Sequence, residues 1–439
     1  KNNLFGLDID DRAAQLAYFA VMMKARQYDR RLLTRGIQPN IHSIIESNAL
    51  GGAYKLAMGD FLLSKEHQET LNYLLDAFID AKEYGSILCL EKRDYVGLLR
   101  AWNLTASQTT ENLNLTLWFA AVEHEIPKLI EQAIILTQGY DVVVTNPPYM
   151  GSSGMSAKLS DYVKKYYPDS KSDLFAVFIE KCGQMAKENG YQAMITQHAW
   201  MFISSFENLR AKIYDKTFVS LVHLGIKAFE EIGNDVVQTS AFVARGKTIA
   251  NFVSKCVRLV DCKNYFEKEQ AYLAGLYQFS SKASDFKKIP GMPFAYWVGS
   301  QFIANFIDSR FIDNYGVLTG SQNITGDNEK FLRCFWEVSA PSVGSKWRFY
   351  AKGGDYRQYY GNLSFVVDWS DTARNFYATN KTSNLLGKEY WFKQGITYSA
   401  ITSRGTGFRY LPEGCIFDKG GPSINLKSDI PEILALLNT

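Results

Sequence analysis

Up to about residue 245 the chain alternates short apolar runs with longer stretches of helical spacing. Residues 4–10, Leu-Phe-Gly-Leu-Asp-Ile-Asp, read as a strand with an acidic end. Asp11 is placed to cap the next helix, whose apolar positions are Ala14, Leu16, Ala17, Phe19, Ala20 and Met23. Residues 57–62, which include Asp60 and Phe61, form a second short strand candidate with an acidic residue. Spacing over 65–137 is mostly helical. Residues 140–145, Tyr-Asp-Val-Val-Val-Thr, have the β-branched character and length of a fully buried parallel strand. A helix is predicted over 172–187, then strands over 191–196, 219–224 and 240–244. Strands alternating with helices predict an α/β fold with a mostly parallel sheet.

The pattern changes after about residue 285. Short strands, glycines and aromatics take over, and residues 331–410 hold 19 aromatics. The same window has 11 Lys/Arg against 5 Asp/Glu, a net +6 in a chain whose total is only +3. The expected division is therefore an α/β core over 1–285 and a β-rich α+β domain over 286–439. A length of 439 residues suits such a division. A uniformly basic nucleic-acid binder is excluded, so contact with DNA would have to concentrate in the last third. There is no apolar run of 18 residues and no signal peptide, so no membrane span is expected. Six cysteines without a CxxC pair, beside five histidines, give no metal-site pattern. Scattered cysteines read as reduced thiols, which fits the cytoplasm.

Candidate chemistry sits where the strand at 140–145 stops, in Asn146-Pro147-Pro148-Tyr149. An amino group on an aromatic ring is a poor nucleophile because its lone pair is delocalised. Accepting hydrogen bonds from both amino hydrogens draws the nitrogen toward tetrahedral geometry and frees the pair. Asn146 has a side-chain carbonyl for one hydrogen. Pro147 has a backbone carbonyl for the other, in a turn that two prolines fix. Tyr149 can stack on the base. The carboxyl end of a buried strand is where α/β sheets place ligands. Without function, the same run is a proline turn closing a strand.

The strand, the tetrapeptide and their surroundings resemble the gamma-type amino-methyltransferases, and more closely the PglX-type adenine-specific methyltransferases of BREX phage-defence systems. The matching stretches are 4–10, 59–62, 141–155, 172–182 and 190–200, with a Gly-rich C-terminal region. The resemblance implies a Rossmann-like S-adenosylmethionine-dependent core followed by a target-recognition domain. It implies catalytic roles for Asn146, Pro147, Pro148 and Tyr149. It places Asp8 on the ribose hydroxyls of S-adenosyl-L-methionine, Ile9 and Phe61 against the cofactor adenine, and Asp60 on that adenine's amino group. Asp173 would line the cofactor pocket, and Phe229 would stack on the flipped base opposite Tyr149. For each acidic residue the alternative is a helix cap or a solvated loop end. For Phe229 it is a core position.

In the C-terminal region Lys330, Arg333, Lys352 and Arg357 are candidate DNA contacts, set among glycines that let backbone approach phosphate. The alternative is a β-rich packing domain with an ordinary charged surface. The implied partners are double-stranded DNA and other phage-defence proteins. The family's aromatic-x-Gly-x-Gly cofactor loop is not found ahead of Asp8. The chain is therefore expected to be incomplete at its N-terminus and at its C-terminus, and inactive or nearly so alone. Three other readings stay open: a restriction-modification fusion with the same methylase core, a DNA-binding defence subunit with little methylase activity, and methylation of a different amino nitrogen such as a protein glutamine.

Overall fold

A computed structural model describes residues 2–50, 63–106, 122, 124–229, 237–308, 316–318, 322–401 and 405–439. The chain divides into two compact units, Lys1–Ile307 and Asp308–Thr439. The division falls later than the change in composition. Phe286, Phe294 and Tyr296 are buried in an aromatic core of the first unit, so the chain does not leave that unit at 285.

The first unit opens with β1 (Phe5–Asp8), α1 (Asp11–Tyr28) and β2 (Asn40–Ser43), and β1 pairs β2 in parallel. Asp10, not Asp11, caps α1, its carboxylate accepting from the amides of Arg12 and Ala13. The strand ends two residues earlier than the apolar pattern suggests, which shifts the cap by one position. Of the apolar positions read on α1 only Ala14 is buried, while Leu16, Phe19 and Met23 are exposed.

Three helices follow, α2 (Lys65–Ala77), α3 (Tyr95–Ala106) and α4 (Glu125–Thr137). Ser64 caps α2 by accepting from the His67 amide. Leu71, Leu74 and Phe78 pack against Leu98 and Trp102 of α3 and Ile126, Leu129 and Ile130 of α4 in one core. The strand read at 57–62 lies outside the described residues.

A six-stranded sheet completes the unit: β3 (Tyr140–Thr145), β4 (Ala186–Gln197), β5 (Thr217–Gly225), β6 (Thr239–Arg245), β7 (Ser254–Arg258) and β8 (Gln278–Ser281), in the order β3-β4-β6-β5-β7-β8. The sheet is mixed rather than mostly parallel. β3–β4 and β5–β7 are parallel, while β6 runs antiparallel between β4 and β5, and β8 antiparallel to β7. The 13 residues between β5 and β6 contain no helix to carry the chain back among those described, so the two strands pair as a hairpin. Between and after these strands come α5 (Ala157–Tyr166), α6 (Leu174–Met185), α7 (Glu207–Tyr214) and α8 (Tyr265–Leu273) in chain order.

β3 is not the fully buried strand its composition suggests. Among the described residues it pairs only with β4, and Val142 and Val144 are 56% and 72% exposed.

The second unit has two four-stranded sheets. One, in the order β10-β12-β11-β15, joins β10 (Leu332–Cys334), β11 (Trp347–Ala351), β12 (Phe365–Asp368) and β15 (Ile416–Phe417). The other, β14-β13-β16-β9, joins β9 (Gly316–Leu318), β13 (Gly395–Tyr398), β14 (Phe408–Leu411) and β16 (Ser423–Leu426). Tyr350, Val367, Trp369 and Tyr377 fill the core of the first sheet, and Ile396, Ile424 and Leu434 that of the second. This is the β-rich α+β architecture read from the last third. All six cysteines are free. No helix among the described residues is long and apolar enough to cross a membrane.

Candidate active site

Thr145, the last residue of β3, is registered against Met194 of β4. Asn146-Pro147-Pro148-Tyr149 therefore leaves the sheet at the carboxyl end of a parallel strand. Pro147 is buried, and Asn146 and Pro148 are exposed. Two prolines remove two amide donors, so the turn presents carbonyls. The Tyr149 ring is half-buried and meets Phe175 edge-on at 6.1 Å between centroids. Burial raises the Tyr149 phenol above its ordinary value, so it stays neutral. Its hydroxyl lies 3.5 Å from Asn146 Oδ1, at the outer limit of a hydrogen bond. The amide oxygen is thus steered without being saturated.

Asp173 anchors the residues beyond the turn. Its Oδ1 accepts from the Phe175 amide at 3.2 Å, capping α6, and from the Met150 amide at 3.1 Å. The Leu174 amide donates to the Met150 carbonyl at 2.9 Å and the Ser152 amide to the Ser172 carbonyl at 3.1 Å. Gly151 and Asp173 form an antiparallel bridge. The segment after Tyr149 is therefore pinned to the start of α6 through main-chain bonds. Burial raises the Asp173 carboxyl, opposed by the amides of Phe175, Met150 and Leu174. Its helix-cap role, open from sequence, is present in the fold, and Oδ2 is the oxygen left for any cofactor contact.

The other candidate loop leaves β1. Phe5 and Tyr140, the first residues of β1 and β3, meet edge-on at 5.5 Å and bring the two strands together. Asp8 is exposed, with Oδ1 accepting from the Asp10 amide at 2.9 Å. Ile9 is also exposed, and its Cγ2 lies over Gly85, where an added Cβ would come within 2.6 Å. Gly85 has φ +60, so the close approach and the backbone both require glycine. An outward carboxylate beside an outward aliphatic chain fits a ribose diol and a purine face. Asp60 and Phe61 lie outside the described residues. Phe229 is exposed on the loop after β5.

The C-terminal candidates differ among themselves. Lys330 lies over the Phe331 and Phe376 rings at 5.0 and 5.2 Å. Arg333 Nη1 is bound to the carbonyls of Glu329 and Leu332. Lys352 lies 3.8 Å from Asp418. Arg357 is exposed and has no ion pair among the described residues.

One cluster escaped the sequence reading. His198, the first residue after β4, has Nδ1 2.8 Å from His223 Nε2, and His223 Nδ1 lies 3.0 Å from the Tyr296 hydroxyl. The His198 amide donates to the Gln238 carbonyl at 3.0 Å, tying β4 to the far end of the loop that carries Phe229. Burial first, then His198, holds the His223 imidazole down to about 3. Two of only five histidines fall at or beside apolar strands, which was the available signal. Nothing in the sequence shows that they face each other across β6.

The family described as Eco57I restriction-modification methylase matches residues 2–229. The chain belongs to that family. Along its whole length it is 37% identical to the adenine-specific methyltransferase BrxX of Escherichia coli O9:H4 (strain HS). It is 36% identical to the adenine-specific methyltransferase PglX of Lacticaseibacillus casei (strain Zhang). It spans 38% of the length of each of these curated relatives. Among solved structures, a nuclease-deletion mutant of the Type ISP restriction-modification enzyme LlaGI, in complex with a DNA substrate mimic, aligns over 98% of this chain and 47% of its own. That alignment has 10% identity and a TM-score of 0.45. The matched region of the Eco57I methylase family contains β1, the Asn-Pro-Pro-Tyr turn and Asp173 together.

Proposed function

We propose that this chain carries the target-base side and the recognition region of a site-specific adenine-N6 DNA methyltransferase that uses S-adenosyl-L-methionine. The observation that carries the reading is the anchored turn. Tyr149 rests on Phe175, Asp173 pins Met150, and Asn146 stays exposed.

A target adenine must leave the duplex to reach such a turn, at a cost of a few kcal/mol that stacking and edge contacts offset. Asn146 Oδ1 and the Pro147 carbonyl accept from the two amino hydrogens. Pro148 holds the turn. Tyr149 stacks on one face of the base and Phe229 on the other. Asn146 is a neutral amide, so it orients the amine but takes no proton, and the released proton leaves to water. When bound, S-adenosylmethionine supplies the methyl group. Asp8 would hold its ribose, Ile9 and Phe61 its adenine ring, and Asp60 that ring's amino group, with Asp173 Oδ2 lining the pocket. Lys330, Arg333, Lys352 and Arg357 would face DNA.

The apolar edge of β3 and the exposed stripe Leu16, Phe19 and Met23 on α1 support a second part of the reading. Chain outside these residues would cover those faces and carry the glycine-rich cofactor loop. The chain by itself is then inactive or nearly so, and robust methyl transfer by residues 1–439 in isolation would refute this. Other phage-defence proteins are the expected partners, and the cytoplasm the expected compartment. The test is sequencing of methylated adenines in DNA exposed to the full-length protein, beside Asn146→Ala. Equal methylation by the two would sink the role of Asn146.

A further inference from the structure

The second unit holds a loop built unlike its neighbours. Residues 354–360 are exposed without a break, and they include Tyr356, Arg357, Tyr359 and Tyr360, the last 63% exposed. Exposed segments of this kind are usually mobile. This one is tied at many points. The Tyr359 amide donates to the Phe408 carbonyl and the Tyr410 amide to the Tyr359 carbonyl, both at 2.8 Å, so the loop pairs with β14 at its centre. Asn362 Nδ2 closes the loop on the Asp355 carbonyl at 2.8 Å. Ser399 Oγ donates to the Gly354 carbonyl at 3.0 Å, and Gln358 Nε2 to the Asn438 carbonyl at 3.2 Å.

Beneath it lies Arg409, 1% exposed, with no carboxylate beside it among the described residues. Its Nη1 donates to the carbonyls of Arg357 and Gly407 at 3.4 and 3.2 Å, and its Nη2 to Ser399 Oγ at 3.2 Å. Nε has no partner. A buried guanidinium held only by neutral oxygens is unfavourable for stability. The backbone is unusual as well. Tyr359 and Asn362 have φ of +67 and +61, beside Gly353, Gly354 and Gly361 at +78, +125 and +131. Non-glycine residues are uncommon there, and such conformations gather where a protein needs a fixed shape.

The rigidity extends to the exposed side chains. The Arg357 stem lies on Gly361, where an added Cβ would come within 2.7 Å of Arg357 Cδ. The Tyr356 ring lies against Gly407, with Cε2 3.4 Å from an added Cβ. Among the four basic candidates, Lys330, Arg333 and Lys352 already have ring, carbonyl or carboxylate partners, while the Arg357 guanidinium has none among the described residues. Phosphate contacts need only a charge within reach. Base edges need a donor fork in a set place, and Arg to the O6 and N7 of guanine is the commonest such pairing.

We infer that the 355–362 loop reads DNA bases: Arg357 takes a guanine edge in the major groove, and Tyr360 stacks against the neighbouring base or sugar. The inference rests on the reading of the chain as a DNA methylase, and it names Arg357 as a determinant of the recognition sequence.

The experiment expresses the full-length protein in a host lacking its own adenine methylases and maps N6-methyladenine across the genome. Wild type, Arg357→Gln, Arg357→Lys and Tyr360→Ala are compared, with thermal unfolding and S-adenosylmethionine binding measured on each to show that it folds. Both Arg357 variants are expected to relax the motif at one G·C position, with discrimination there falling about tenfold to a hundredfold. Arg357→Lys keeps the charge, so a motif relaxed in both separates edge reading from phosphate attraction. Tyr360→Ala is expected to slow methylation at the motif about tenfold. An unchanged motif in both Arg357 variants overturns the inference. A uniform loss over all sequences that Arg357→Lys restores also overturns it, assigning Arg357 to a phosphate. Unchanged methylation with loss of a bound defence protein overturns it in favour of a protein-facing loop. No methylated adenine from wild type would defeat the methylase reading itself, and the loop inference with it.

Discussion

The ends of β1 and β3 hold the two sides of one proposed site, and they are built to different standards. After β3 the chain is locked by Asp173, by main-chain bonds to the start of α6 and by the Tyr149–Phe175 contact. After β1 the side chains of Asp8 and Ile9 are exposed: Asp8 spends one oxygen on its own turn, and Ile9 lies over Gly85. The proposed base side is fixed by main-chain bonds and the Asp173 clamp, whereas the proposed cofactor side is a set of outward-facing groups. An enzyme whose target must be bent toward a reactive geometry gains most from rigidity at the amine.

Asn146→Ala should break the comparison most sharply. In the full-length protein it is expected to lower methylation about a hundredfold or more. Its melting temperature and cofactor affinity should hold, because Asn146 is exposed and its side chain makes only the long contact to Tyr149 among the described residues. A large loss of stability would mean the turn depends on Asn146 for folding rather than presenting it.

Asp8→Ala probes the open side. Losing a charge-assisted acceptor should weaken S-adenosylmethionine binding about tenfold to a hundredfold. Stability should change by less than about 0.5 kcal/mol, as for other exposed positions. Isothermal titration beside thermal unfolding measures both, and a drop in stability with unchanged affinity would reverse the contrast.

Asp173→Ala should do the opposite, lowering stability by about 1–2 kcal/mol through loss of the cap and of the bond to Met150. Asp173→Asn keeps an acceptor and should restore most of it. If both variants instead lose cofactor binding at unchanged stability, Asp173 belongs to the open side.

The smallest effect at neutral pH concerns His223. Its folded-state value near 3 lies below the usual 6.5, so the folded protein binds fewer protons than the unfolded one. Stability is therefore full above about pH 6.5 and falls as pH drops toward 3. The proximity of His198, Arg258 and Lys268 adds to burial in this direction, and Asp261 opposes it. His223→Gln should flatten that acid decline in unfolding experiments. An unchanged slope would show that the histidine chain is not closed in solution.

Much of this was legible in the sequence, and the misses have physical causes. Tyr140–Thr145 appears as a strand over the residues its composition marked, since β-branched runs suit extended backbone. Its burial was misjudged, because apolar content does not say which neighbours are present, and β3 has one among the described strands. Asp173 was ambiguous from sequence because an acidic residue just before a helix suits both a cap and a ligand; in the fold one oxygen serves two amides. His198 and His223 were missed because their pairing spans β6, and strand order is invisible to local pattern.

The local chemistry belongs to the sequence alone: two prolines after a strand must turn, Asn146 must offer an amide there, and the first strand must run into acidic residues. Those consequences arise from φ restriction and side-chain type, which need no partner. Only the tertiary structure decided that Asp173 clamps that turn, that β6 makes the sheet mixed, and that buried Arg409 holds the loop presenting Arg357. Each depends on groups far apart in the chain being desolvated together, and burial is a property of the assembled fold.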